Sequence, residues 1–558
     1  MQKKWWHGKI AYQIYPKSFM DSNGDGIGDL KGIMSRLPYL KHLGVDIIWI
    51  SPIYVSPFVD QGYDVADYQN IDPIFGSMAD FDELLAKTKA LGMDIIMDLV
   101  VNHCSSEHQW FKKACADLNS KEAGYFYFVK GRNGGAPDNL RSYFGGSVWD
   151  KIPGHENEDL YYLHYFAKQQ PDLNWSNPAL REEIYKMVNW WLDKGIAGFR
   201  IDAIHSVMKD LSFPGLPADD IDGLCHASKM NAKMFSKLGI YLSELRDRTF
   251  KPHDAFTVGE AFSPSKEVLE AFIGDDGYFS TLFDLSCREV IEAAPSYMEY
   301  KKLTVKQFRD CIFGTQQMYN GIGMSAPIIE NHDEPRGVSY FMPPYLNNAE
   351  GAKAIATVLM LLRGIPFIYQ GQEIGMTNTR FDSIDEHEDL FAHDEYNKAK
   401  ARGWSDADAL AICNEHGRDN ARTPMLWDDS ENAGFTTGKP WMKLHQDHKT
   451  LNVKAQYHDE NSVFNYYRAL IALRKSKEHF DCLTWGAFEP VSVNDAVIAY
   501  KRLGESETIL VVVNTAKEPL VYETEAEGTL LLSCNEASCT GRTLTLGCGG
   551  GAVLSFKK

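Results

Sequence analysis

The sequence predicts an α/β protein built on a (β/α)8 barrel, a TIM barrel, with a loop-rich insertion after the third strand and a C-terminal antiparallel β-sandwich. Three observations carry this. Short apolar runs alternate with helical patterns over more than 400 residues, which calls for parallel strands with helices outside them. The rhythm breaks over 104–175, where Gly, Pro, Asn and aromatics replace helical periodicity. From about 482 the chain turns to short strands such as "AVIAYKRL", "ETILVVVN" and "GAVLSF", separated by Gly, Asn and Asp. The expected division is a barrel over 1–103 and 176–481, an inserted subdomain over 104–175 and a β domain over 482–558.

The elements follow in order. "KIAYQIYPKSFM" alternates like a strand, and "VDIIWISPI" (45–53) is a second. After the helix-like "SMADFDELLAKTKALG" comes "MDIIMDLVVNH" (93–103), then "IAGFRIDAI" (196–204) and "FTVGEAF" (256–262). "MSAPIIENHDEPR" (324–336) and "GIPFIYQGQEIG" (364–375) complete the set that can be read.

Composition narrows the function. With 44% hydrophobic and 12% aromatic residues the chain packs a globular core. A formal charge of −19, with no basic run to offset it, argues against nucleic acid or an anionic membrane as partner. No segment has the length of a membrane span or of a secretory h-region. Ten cysteines without a C-x-x-C pair read as reduced thiols of a cytoplasmic protein.

Four strands end, at their C-terminal side, in polar residues: Asp98, Asn102 and His103; Arg200, Asp202 and His205; Glu260; His332 and Asp333. In a barrel those ends converge on one mouth, where catalysis is located. A structural ion-pair network is the weaker reading of three such carboxylates with an Arg and two His. The sequence has no H-E-x-x-H, phosphate loop or G-x-S-x-G elbow. Paired carboxylates across an aromatic pocket suit glycoside hydrolysis, with one anionic nucleophile and one protonated acid. Arg200, two residues before Asp202, faces the same way and is expected to hold that Asp ionised. Glu260, in the apolar setting "FTVGEAF", is expected to keep its proton.

"DLVVNH", "GFRIDAI", "FTVGEAF" and "ENHDEPR", in this order and spacing, resemble the four signature regions of the α-amylase family of glycoside hydrolases. "QPDLNW" (170–175) is similar to the segment that marks its oligo-1,6-glucosidase and α-glucosidase subgroup; so are "AYQIYPKSF", "GQEIGMTN", "GRDNARTPM" and "AGFTTGKPW". The resemblance implies a retaining exo-α-glucosidase that releases glucose from short α-1,4- or α-1,6-linked oligosaccharides. Asp202 is then the nucleophile, Glu260 the acid and base, and Asp333 the third carboxylate. It further implies that Arg200 contacts the nucleophile and that His103 and His332 bind hydroxyls. Tyr63 becomes a stacking platform, and Asp64 with Arg422 the pair closing the pocket. Phe166, Gln170 and Arg418 complete the lining.

The loop "DSNGDGIGDL" (21–30) places Asp21, Asn23, Asp25 and Asp29 at the spacing of an EF-hand calcium loop, with Gly26 at the sharp turn. Position 12 is Gly32 instead of Glu, and a strand instead of a helix precedes it, so a calcium sensor is not expected; a solvated turn that binds nothing is the other reading. The resemblance implies one structural Ca2+, with the Ile27 carbonyl as a further ligand. Ala203, where relatives that prefer α-1,6 bonds carry Val, leans toward acceptance of α-1,4 bonds. "YFSTLFDLSCREVIEAAPSY" (278–297) and Glu334 depart from the usual pattern on the leaving-group side. Sucrose isomerase and trehalose-6-phosphate hydrolase remain alternatives: "FRDCIFGTQQMYNG" lacks the Arg-rich segment of the first, and the second needs cations for a phosphate. A non-catalytic transporter partner fits less well, because the triad is intact. The expected partner is a small oligosaccharide, and the expected state a monomer or weak homo-oligomer.

Overall fold

The computed structural model describes residues 2–220, 222–261, 265–294 and 296–558. Phe262, last residue of "FTVGEAF", and Pro295 lie outside the described residues.

Seven parallel strands form the barrel wall: β1 (Ala11–Ile14), β2 (Ile47–Ile50), β3 (Asp94–Leu99), β4 (Gly198–Ile201), β5 (Phe256–Gly259), β6 (Thr281–Leu282) and β7 (Phe367–Tyr369). They are ordered β6-β5-β4-β3-β2-β1-β7. The ring closes through an eighth stave at 325–326: Ala326 bridges Phe283, and Ser325 bridges Gly364. Pro327 follows at once and has no N–H to extend that ladder, so the strand expected over 324–336 shrinks to two paired residues. β6 was not among the expected strands, since two paired residues leave no periodic signal.

Alternation along each strand decides what the barrel encloses. Ala11, Ile47, Trp49, Ile96, Phe256, Val258 and Phe367 share one interior cluster. Ile48, Ile50, Ile95 and Met97 pack outward in the larger cluster between strands and helices. Continuing the interior parity by two residues reaches Gln13, Asp98, Arg200, Asp202 and Glu260 at the C-terminal ends. Apolar residues therefore fill the bottom of the barrel and polar ones its mouth. Gly198, at the start of β4, is obligatory: a Cβ there would stand 1.7 Å from the Phe256 carbonyl oxygen.

Helix α1 (Leu30–Leu43) starts from Asp29, whose side chain caps Gly32 N, and ends at left-handed Gly44. Helix α2 (Met78–Ala90) opens on a Ser77–Asp80 capping box. Between β3 and β4 the chain builds a three-stranded antiparallel sheet from Phe128–Lys130, Leu160–Leu163 and Trp149–Lys151. The His103–Asp172 bridge fastens this segment to the end of β3. After the barrel, a five-stranded and a three-stranded antiparallel sheet pack face to face through Val497, Leu510, Val512, Leu544, Leu546 and Leu554. No helix among the described residues is long and apolar enough to cross a membrane, and all ten cysteines are free.

Candidate active site

Arg200 is the hub of the mouth. Its Nη1 lies 2.7 Å from both Asp98 Oδ1 and Asp202 Oδ1, and its Nη2 donates to Glu260 Oε2 at 2.6 Å. Asp98 is held in turn by the Trp49 indole (3.1 Å) and the Tyr63 hydroxyl (2.9 Å). Ala203 adopts the left-handed region (φ 41°), a conformation costing an alanine roughly 1–2 kcal/mol. That turn aims its N–H at Glu260 Oε2, 3.0 Å away.

Glu260 is thus not in the apolar setting its neighbours in sequence suggest. Burial pushes its carboxyl up, but the guanidiniums of Arg200 and Arg288 outweigh burial and hold it below the ordinary range. For Asp202, burial wins over Arg200, and nearby Glu260, Asp98 and Asp333 add to the rise, so its carboxyl lies well above that range. Asp202 and Glu260 share one guanidinium and titrate as a unit.

Asp333 occupies the other side. Burial works against its charge, yet His332, Arg418 and Arg422 hold it well below the usual carboxylate range. Its Oδ1 accepts from Arg418 Nη1 (2.9 Å) and Arg422 Nη2 (3.0 Å), and its Oδ2 lies 3.0 Å from His332 Nε2. His332 is fixed by Gln13 Nε2 on its Nδ1 (2.8 Å) and stacks on Tyr63, ring centres 5.0 Å apart and nearly parallel. His103 Nε2 contacts the Tyr63 carbonyl (3.0 Å) and Gln170 Nε2 (3.1 Å).

A cavity of about 480 Å3 opens over these groups, lined by Tyr63, His103, Phe166, Asp202, Glu260, Asp333 and Arg418 among others. That is within the size of small-molecule sites, roughly 300–1,000 Å3. Arg200, His332, Gln170 and Arg422 support the lining from behind. One expected pair is corrected. Asp64 does not line the cavity; it accepts hydrogen bonds from Ser56 Oγ, Val59 N and Asp60 N and fixes a turn. Arg422 is taken up by Asp333 and the His332 carbonyl. The carboxylate that faces the cavity is Asp60, 3.7 Å from Arg418 Nη2 and bonded by Gln170 Nε2 at 3.0 Å. Left-handed Phe58 and Gln61 (φ 59° and 50°) produce the turn that brings Asp60 inward, and no residue type announces it. Tyr143, Phe144, Asp389 and Arg288 were also missed. Phe144 lies under the Arg418 guanidinium at 5.4 Å, and Asp389 anchors Arg418 from behind.

Over 21–29 the side chains are tied by hydrogen bonds. Asp21 accepts from Asn23 N, Gly24 N and Gly26 N, each at 2.8 Å, and from the Thr436 hydroxyl. Asp29 is shared between Ser22 and the α1 N-terminus. The accepting atoms, on Asp21 and Asp29, are all oxygen, as a hard cation wants. Among the described residues, however, no three His, Cys, Asp or Glu side chains gather closely enough to hold a metal ion.

Asp202 and Glu260 share Arg200 at the barrel mouth and Asp333 faces them on Arg418 and Arg422, an arrangement that suits glycoside hydrolysis, and residues 13–485 match the family model "Alpha amylase, catalytic domain". The chain belongs to the alpha-amylase family. It is 41% identical over 528 residues, 94% of this chain and 93% of the relative, to probable oligo-1,6-glucosidase 3 of Bacillus subtilis (strain 168). It is 37% identical to the trehalose-6-phosphate hydrolase of the same organism, over 95% of this chain and 92% of that one. Among solved structures, an isomaltulose synthase variant from Erwinia rhapontici NX5 in complex with D-glucose superposes with a TM-score of 0.92, at 36% identity and 99% coverage of both chains.

Proposed function

We propose that the protein is a retaining exo-α-glucosidase acting on short neutral gluco-oligosaccharides with α-1,6 and α-1,4 bonds. The sharing of one guanidinium by Asp202 and Glu260 carries this reading. It keeps the two carboxyls close, which suits the retaining separation of about 5–5.5 Å better than the inverting one of roughly 6.5–9.5 Å. Asp202 attacks the anomeric carbon while Glu260 protonates the glycosidic oxygen, and the C–O bond to the leaving sugar breaks. The positive charge developing on the ring favours ionised Asp202, so the pair's proton passes to Glu260 and on to the leaving group. Glu260 then deprotonates a water that displaces Asp202, releasing α-glucose. Asp333, with Arg418 and His332, holds ring hydroxyls, and Asp60 with Arg418 forms the end wall that makes the action exo.

Charge supports a neutral substrate over a phosphorylated one. The cavity is lined by seven carboxylates and five cationic side chains. Those cations have carboxylate partners: Arg141 with Asp219 and Asp222, Lys229 with Asp219, Lys398 with Asp394, Arg288 with Glu292, and Arg418 with Asp389. A phosphate would have to break such a pair. Ala203 leaves room beside Asp202 for an α-1,4 leaving sugar. The acidic charge and free thiols fit a cytoplasmic monomer or weak homo-oligomer.

Asp202→Asn tests the assignment: kcat on p-nitrophenyl α-glucoside should fall by about 10^3-fold or more with the fold intact, because covalent catalysis depends on that charge. Activity equal to the parent's would refute it. Comparing kcat/KM for maltose, isomaltose, sucrose and trehalose 6-phosphate tests the substrate. A preference for the last would overturn the neutral-substrate reading.

A further inference from the structure

The helix Ser286–Ile291 follows β6 and sends Arg288 into the cavity beside Glu260. Among the described residues Glu260 Oε2 takes both hydrogen bonds of the carboxylate, from Arg200 and from Ala203 N. Oε1 is the oxygen left for a leaving group, and Arg288 Nη1 stands 3.9 Å from it. That is an ion-pair distance, too long for a hydrogen bond. On its other side, Arg288 spends its single Nε–H on Glu292 Oε1 at 2.8 Å. Glu334 Oε1 lies 3.1 Å from the same Nε, buried and without a hydrogen bond. A guanidinium is thus poised between two carboxylate stations, one of which has an unused acceptor.

We propose that Arg288 is a positioning residue that sets the proton affinity of Glu260 by leaning either toward Glu260 or toward Glu292 and Glu334. This rests on Glu260 being the acid of the proposed reaction. When a leaving sugar approaches Oε1, Arg288 tightens onto Glu334, already 3.1 Å from its Nε, its Nη1 moves off Glu260, and Glu260 recovers the proton affinity an acid needs. Burial pushes Glu334 up to about 8, with Arg288 pulling it down and Glu292, Asp333 and Glu260 adding to the rise. The other charged or titratable groups facing Glu260 are Arg200 and Asp202 on β4, His205 just beyond it, and Asp333 on the loop after the eighth stave. Arg200 is hydrogen-bonded to Asp98, Asp202 and Glu260 at once, whereas Arg288 makes no hydrogen bond to Glu260.

The test is the alkaline limb of the pH profile of kcat/KM for maltose, which reports the proton of the Asp202–Glu260 pair in the free enzyme. Arg288→Gln removes a cation that holds Glu260 ionised, so the limb should move up by about one pH unit. Glu334→Gln deprives Arg288 of its second carboxylate and leaves it to Glu260, so the limb should move down. Arg288→Lys should restore the parent's limb. With α-glucosyl fluoride, whose leaving group needs little protonation, both shifts should be smaller. Limbs unchanged in Arg288→Gln and Glu334→Gln, or moved in the same direction, would overturn the proposal. A parent enzyme that hydrolyses neither maltose, isomaltose nor glucosyl fluoride would instead defeat the underlying α-glucosidase reading.

Discussion

Asp60 and Asp64 lie four residues apart in one loop and do opposite work. Asp60 faces the cavity beside Arg418, while Asp64 is fully buried with three hydrogen bonds that hold the loop's turn. Asp60→Asn should therefore lower kcat/KM for maltose at least tenfold with little change in Tm, because the carboxyl oxygen it loses faces the ligand. Asp64→Asn should do the reverse: an amide cannot accept all three bonds as the carboxylate does, at a cost of about 1–3 kcal/mol in urea unfolding. The converse pattern would return the end wall to Asp64. At this scale the sequence was legible wherever strand parity fixed a direction, as for Asp98, Arg200, Asp202 and Glu260. It failed where a loop's backbone decided which of two aspartates turned inward. It failed also for the setting of Glu260, which is not apolar, since Arg288 arrives from an element that the sequence left unassigned.

The loop over 21–29 and helix α1 form one element. Asp29 ends the loop and caps the helix, and the segment Ala433–Trp441 braces it through Thr436 on Asp21 and the Gly26 carbonyl on Trp441 N. We propose that the loop holds one structural Ca2+ through Asp21, Asn23, Asp25, the Ile27 carbonyl and Asp29, with the metal replacing some of the hydrogen bonds now made. A ligand bound only by the native state stabilises it, so chelation should lower Tm and added Ca2+ should restore it. Asp21→Ala should abolish that response while kcat changes little. A Tm indifferent to chelator and Ca2+ would leave the loop a hydrogen-bonded turn. Barrel strands β1 to β5 and β7 were legible because three to six consecutive paired residues carry an apolar signal. β6 was not, because the barrel needs only two residues from it, and the stave expected over 324–336 keeps only two paired residues for the same reason.

Across the whole molecule, the barrel and the C-terminal sheets meet over the helix Ala349–Met360. Tyr500 donates to the Val358 carbonyl, and Arg502 to the carbonyls of Leu361 and Gly486. Arg474 serves Met360 and Leu362 in the same way. Neither arginine makes an ion pair with a carboxylate among the described residues. Burial pushes Arg502 down to about 9, with Arg474 adding to it. The charge is tolerated because it satisfies carbonyls at the end of a helix. Arg502→Met should strand the Leu361 and Gly486 carbonyls and lower stability by about 2 kcal/mol, read as a fall in Tm of the full chain. An unchanged Tm would mean that water or a neighbour serves those carbonyls. The sequence by itself determined the barrel, the sandwich and the convergence of polar residues on the barrel mouth, because alternation along a strand fixes which side chains share an interior and where the apolar ones give way to polar ones. Only the tertiary structure decided which loop aspartate lines the pocket, which cations crowd Asp202 and Glu260 and which cations are already neutralised. Each of those depends on distances between elements far apart in the chain, and no local pattern encodes them.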